Sequence, residues 1–184
     1  MYEIREFKTY DTESIIDFII KIQRNEYNIN INLDDQTDLL KIDESYINDG
    51  GNFWVAQDQF GEIIGTLGVQ RLSKNRGALK KMFVHSAYRS KKIGKSLINY
   101  LFQYCEDNKI NEIYLGTTDK FKDAQIFYKK NGFKEISINE LPKDFPTLEV
   151  DNRFYKKKIS SRLYSPYQLH ISQRVPELGR KDRI

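Results

Sequence analysis

The sequence predicts an α/β domain of the α+β type, with one mixed but mostly antiparallel sheet of about seven strands and about four helices. Three observations carry this expectation. Short runs that alternate apolar and polar residues, bounded by turn residues, occur in 2–7, 52–84 and 133–159. Over 78–116 a strand, a cationic turn, one amphipathic helix and a second strand follow one another, which implies a parallel pair joined by a right-handed crossover. Eleven phenylalanines and twelve tyrosines among 184 residues supply the buried area of a single core.

Taken in order, 2–7 alternates as a half-buried strand, and Asp11 and Thr12 offer an N-cap. Ile15, Ile16, Ile19 and Ile20 follow at helical spacing to about Arg24. Asp34, Asp35 and Asp38 load the start of a second predicted helix, whose apolar stripe is Leu39, Leu40, Ile42, Tyr46 and Ile47. Strands are expected at 52–57 and 62–72, joined by a hairpin over 58–61, and again at 78–84. Leu97, Ile98, Leu101, Phe102 and Cys105 mark one face of a strong helix. A buried strand at 112–116 leads to a compact helix over 121–130, ended by Asn131 and Gly132. Strands at 133–137 and 151–159 close the sheet, and the loop between them carries Pro142 and Pro146.

Composition narrows the function classes. No stretch approaches the ~20 apolar residues of a membrane span, and the start has no signal-peptide pattern. One cysteine, Cys105, excludes an internal disulfide framework, so a reducing cytoplasm is the expected compartment. A single Cys and two His give no zinc spacing, and no metal is expected. From Ser160 onward five basic residues face two acidic ones, within a formal net charge of +4. The body 1–159 is therefore near neutral, which disfavours nucleic acid as a partner. The tail 160–184 reads as a surface extension or a non-native segment, with a dimerisation or nucleic-acid arm as the alternative.

The chemistry concentrates in the turn before the third predicted helix. Arg89, Ser90, Lys91, Lys92, Ile93, Gly94 and Lys95 stand between a strand and a helix start. Free N–H groups there, with the helix dipole, suit an anion, and Gly94 permits close approach of a ligand. Gly94, Lys95 and Ser96 match the end of a P-loop, but that motif requires glycine where Arg89 stands. The dinucleotide fingerprint G-x-G-x-x-G is absent.

The stretch Met82, Phe83, Val84, His85 through Leu97 resembles motif A of the GNAT superfamily of N-acetyltransferases, a strand followed by Q/R-x-x-G-x-G/A and a helix. Arg89, Ile93 and Gly94 fit, and Lys92 takes the place of the first glycine. Ala124, Tyr128, Gly132 and Phe133 resemble the later A-x-x-x-Y-x-x-x-G-F segment of that superfamily, where Phe121 replaces a frequent asparagine. The resemblance covers about 2–159, read as one GNAT-like domain.

The resemblance implies acetyl-CoA as acyl donor and a small-molecule or peptide amine as acceptor, by direct attack on the thioester. A non-catalytic acyl-CoA-binding sensor is the alternative. The pyrophosphate is expected on the backbone of about 91–95, and the pantetheine along Met82, Phe83 and Val84, where the superfamily splays the parallel pair. A main-chain N–H near Phe83 or Val84 is expected to meet the thioester oxygen. An amine of pKa near ~10.4 costs about 4.6 kcal/mol to deprotonate at pH 7, so a base or desolvation is needed. Tyr128 is the candidate acid for the CoA thiolate. Many relatives carry a glutamate near the start of the fourth strand, where this chain has Ala78, Leu79, Lys80 and Lys81. Glu26, Asp34 and Asp119 are the substitute bases considered, against a reading of each as an ordinary surface carboxylate; His85 is read as a turn residue, and Thr117 and Thr118 either orient water at the cleft or cap their loop. Tyr27, the residues to Asn32, Phe53, Trp54 and the loop 139–150, with Glu140, Asp144 and Glu149, are expected on the acceptor side.

Overall fold

The computed structural model describes residues 1–160, so the expectations for the tail lie outside the described residues. One seven-stranded sheet runs through it in the order β1 (Tyr2–Glu6), β2 (Asn52–Asp58), β3 (Ile63–Leu72), β4 (Arg76–Val84), β5 (Glu112–Thr117), β7 (Arg153–Lys158), β6 (Lys134–Ile136). All neighbours are antiparallel except β4 and β5. The chain crosses between those two through α2 (Ile93–Asp107), as the strand–helix–strand pattern requires.

Helices α1 (Thr12–Tyr27) and α2 cover opposite faces, and α3 (Lys122–Lys130) lies beside α2. Under α2, Ile93, Leu97, Ile98, Leu101 and Cys105 are fully buried against Leu67, Val69, Ile113 and Leu115. Each such side chain contributes about 1.5–3 kcal/mol. On the other face Ile15 and Ile19 of α1 pack on Phe53, Val55, Leu39 and Tyr46. Burial pushes the Cys105 thiol up to about 12, which suits a core residue and not a nucleophile.

The expected helix over 34–47 is replaced by a 3-10 segment at Asp34–Leu39 and a single π-turn at Asp43–Ile47. Its helical run breaks at Gln36, whose backbone (φ −133°, ψ 49°) turns a polar side chain inward. That side chain is buried, exchanges two hydrogen bonds with Gln23 of α1 and accepts one from Lys81. Satisfying three buried polar groups outweighs the continuation of one short helix. Strands otherwise lie within a few residues of their expected positions.

Two irregularities open the sheet. The β4–β5 pairing covers only Arg76, Gly77 and Ala78 against Glu112, Ile113 and Tyr114, and then stops. On its other edge β4 carries a bulge, in which Lys81 and Met82 stand opposite Leu67 between the pairs Thr66–Phe83 and Gly68–Lys80. Lys81 has φ +53°, and the Thr66 hydroxyl donates to its carbonyl at 2.7 Å. A bulge bends its strand, and here the second half of β4 leaves β5.

Candidate active site

The gap between β4 and β5 is a cleft of about 430 Å³. Leu79, Lys80, Lys81, Met82, Phe83 and Val84 form one wall, and Gly116, Thr117 and Thr118 the other. The start of α2, α3, the end of α1 and the loop before β7 complete it. The second half of β4 has backbone groups with no strand beside them on the β5 side, a ready edge for an extended, amide-bearing ligand.

The α2 end of the cleft is built for anions. Arg89, Ser90, Lys92, Gly94 and Lys95 line it. The first turn of α2 has no side-chain cap, and helix geometry leaves the N–H groups of Ile93, Gly94 and Lys95 without intrahelical acceptors. Lys92 adopts φ +63° at the N-cap, the left-handed region that glycine reaches freely. The first glycine of the motif is therefore a conformational requirement that lysine meets at a cost of about 1–2 kcal/mol. A Cβ added to Gly94 would lie 3.5 Å from Phe127 and 3.6 Å from Met82, both in the cleft wall. Protein packing tolerates a methyl there, so the space matters for what enters the cleft.

Not every residue of the turn faces inward. Ile93 is fully buried beneath the sheet, so only its N–H can serve a ligand. Lys91 extends over the Tyr88 ring at 4.4 Å, away from the cleft. Arg89 donates from Nε to the Val84 carbonyl at 3.1 Å and pairs with Glu26. The Glu26 carboxylate is thus engaged in holding the guanidinium, not aimed at the cleft centre. Tyr27 lines the cleft and packs edge-on against Phe121 at 4.3 Å between ring centroids, and Phe121 meets Phe83 at 6.1 Å. These rings give the mouth an apolar rim.

Tyr128 of α3 lines the cleft floor. Its ring packs against Phe127, Phe133 and Tyr155, and it is only 6% exposed. The hydroxyl is neither a buried orphan nor hydrogen-bonded to any described residue, which leaves it open to the cleft. Burial, with a smaller push from the Asp151 charge, holds this phenol well above the ordinary tyrosine range.

Several candidates from sequence fall elsewhere. Trp54 is buried under α2, edge-on to Tyr104 at 5.3 Å, and Phe53 points into the opposite core. β2 is an interior strand two places from the cleft, so its alternating side chains enter the two cores. Asp34 does not reach the cleft. Asp119 is held by Asn152 and Thr118. His85 accepts from the Ala87 N–H at 3.2 Å as the cap of a 3-10 turn. In the loop before β7, Glu140 caps a turn and Asp144 receives the Ser73 N–H, and neither they nor Glu149 line the cleft.

The cleft instead contains charges that sequence reasoning passed over. Lys80, Lys81, Asp123 and Asp151 all line it. Lys81 is buried, donates to Gln36 at 2.8 Å and pairs with Asp38 at 3.2 Å. Asp151 sits just before β7, over Gly116, where an added Cβ would come within 2.6 Å of its Oδ2. It accepts the Leu148 N–H at 3.1 Å, and burial pushes its carboxyl above the usual range. A signal existed: β7 is antiparallel to β5, so a residue that precedes β7 must lie at the carboxyl end of β5.

Comparison with known proteins agrees with this geometry. Residues 49–135 match the family model described as the acetyltransferase (GNAT) domain. An acetyltransferase of the GNAT family from Staphylococcus aureus Mu50 is 48% identical, superposes with a TM-score of 0.86, and is covered in full by 87% of this chain. An acetyltransferase from Streptococcus agalactiae 2603 is 29% identical, with a TM-score of 0.80, over 85% of this chain and 98% of that one. A mouse protein named probable N-acetyltransferase family 8 member 5 is 32% identical over 56% of this chain. The chain spans about half the length of that curated relative. With the splayed β4–β5 pair, the uncapped α2 turn and a full-length relative at 48% identity, the chain belongs to the GNAT family of acetyltransferases.

Proposed function

We propose that this protein transfers an acyl group, acetyl in the first instance, from acyl-CoA to a primary amine by direct attack. The observation that carries the reading is the cleft itself: an open β4 edge leads from an uncapped helix start to a tyrosine whose ring is buried and whose hydroxyl is open to the cleft. Each part suits one part of acyl-CoA. The N–H groups of 93–95, with Arg89, Lys92 and Lys95, suit the pyrophosphate. Main-chain groups of Met82, Phe83 and Val84 suit the pantetheine amides, and an N–H of Phe83 or Val84 suits the thioester oxygen as it gains charge. Ser90 lines the same end, and Lys91 adds only long-range charge. A lone, buried cysteine suits a reducing cytoplasm.

Tyr128 is proposed to serve the leaving thiolate. Its raised pKa keeps the phenol neutral throughout the working range. Giving a proton to a thiolate of pKa ~8.5 is uphill by more than the ~2 kcal/mol of an ordinary tyrosine. The hydroxyl therefore acts first as a hydrogen-bond donor to sulfur, and the proton crosses only as the C–S bond breaks. A Tyr128→Phe change is expected to lower kcat by about a hundredfold or more while acetyl-CoA affinity stays within about twofold. Unchanged turnover would remove Tyr128 from the mechanism.

A further inference from the structure

The cleft has a second end, formed by Ile29, Ile31, Gln36, Lys80, Lys81, Leu148, Val150 and Asp151. Its two cations differ. Lys81 is neutralised by Asp38 and fixed by Gln36. Lys80 donates to the Pro146 carbonyl at 3.0 Å and has no carboxylate within 4.0 Å among the described residues. An ammonium has three donors, so two remain in a half-buried position beside the cleft. Desolvation lowers the Lys80 pKa and nearby carboxylates oppose it, so an anionic ligand at Nζ would stabilise the ammonium form. Across the same space stands Asp151, a carboxylate with one N–H partner and no cation within 4.0 Å among the described residues. Lys80 and Asp151 thus offer one positive and one negative site on the cleft wall that feel each other's charge without forming a direct ion pair.

We infer that the acceptor is a free amino acid, whose carboxylate is held by Lys80 and whose ammonium group is delivered to Asp151. This rests on the acetyl-CoA reading above and adds the acceptor class. An acceptor amine arrives as R–NH3⁺. The Asp151 carboxylate takes one proton, and the freed nitrogen lone pair forms the new C–N bond at the thioester carbon. As the C–S bond breaks, its electron pair goes to sulfur, which receives a proton from Tyr128. The second nitrogen proton returns to Tyr128 through water, and Asp151 releases its own proton to solvent. The products are the N-acetyl amino acid, CoA thiol and one proton. Burial, which raises the Asp151 carboxyl, makes it a better proton acceptor than a surface aspartate.

The test uses the full chain with acetyl-CoA and two matched panels, the common amino acids and the amines left by their decarboxylation. CoA release is followed by free thiol, and acetyl-CoA affinity by calorimetry on the same sample. The expected result is that the best amino acid exceeds its own decarboxylated amine at least about tenfold in kcat/KM, the worth of one charged hydrogen bond. Lys80→Met should cut that preference about tenfold or more, while Lys80→Arg keeps most of it and thermal unfolding reports that both fold. Asp151→Asn should lower kcat with every acceptor. Amines that outperform their parent amino acids, a preference unmoved by Lys80→Met, or no amino acid turned over although acetyl-CoA binds would each overturn the inference. Absence of acetyl-CoA binding would instead remove the reading on which it rests.

Discussion

Replacing Gly94 by alanine separates a glycine kept for folding from one kept for a ligand, because the two roles predict opposite signs. Gly94 is the second residue of α2, and its φ is not in the left-handed region. Alanine is therefore conformationally acceptable, and helix propensity favours it by up to about 1 kcal/mol. The new Cβ would find Phe127 at 3.5 Å and Met82 at 3.6 Å, ordinary contacts that need no shift. For a chain of this size 1 kcal/mol corresponds to about 2–4 °C, so Tm should rise by roughly 1–4 °C. Acyl-CoA should respond the other way. The methyl occupies the space where a phosphate would approach the N–H groups of 93–95, and overpacking costs about 1–3 kcal/mol. The Kd for acetyl-CoA should rise by about five- to hundredfold. Thermal unfolding without ligand and calorimetric titration of the same variant read both numbers. A lower Tm would refute the packing argument, and an unchanged Kd would refute the placement of the phosphates.

Two further outcomes follow from the same geometry. Lys92→Gly relieves a left-handed lysine but adds freedom to the unfolded chain, so denaturant unfolding should show a net gain of about 0.5–1 kcal/mol; a loss would mean that the Lys92 side chain stabilises the turn. Asp151 has a folded pKa above its unfolded value, so its contribution to stability is full below the ordinary carboxylate pKa and is lost as pH rises through the folded pKa. Asp151→Asn should therefore be the more stable protein at about pH 7, with an advantage that fades toward about pH 4; denaturant midpoints across that range check it, and an advantage that grows on acidification would contradict the burial argument.

What the sequence disclosed and what it withheld have physical causes. The sheet and the α2 crossover were legible because period-2 and period-3.6 patterns reflect burial directly, as in Leu97, Ile98, Leu101 and Cys105. The anion turn was legible because charge, glycine and a helix start are adjacent in sequence. The segment 34–47 was misread because the inward turn of Gln36 depends on Gln23 and Lys81, residues far away in the chain. Trp54 was misplaced because both faces of β2 are covered, so its run of apolar residues says nothing about which face meets the cleft. The meeting of Lys80 and Asp151 is not legible in the sequence, because only the departure of β4 from β5 and the β5–β7 register bring them to one space. The acids that the sequence advertised, Glu140 and Asp144, are consumed by loop caps.

The most direct test of the central claim is calorimetric titration with acetyl-CoA and, in parallel, with ATP, followed on the same sample by free-thiol release against a panel of amines and amino acids. The account predicts about micromolar acetyl-CoA binding, no comparable response to ATP, and CoA release that depends on the acceptor. Binding of ATP alone, or acetyl-CoA binding with no acceptor-dependent release, would contradict it.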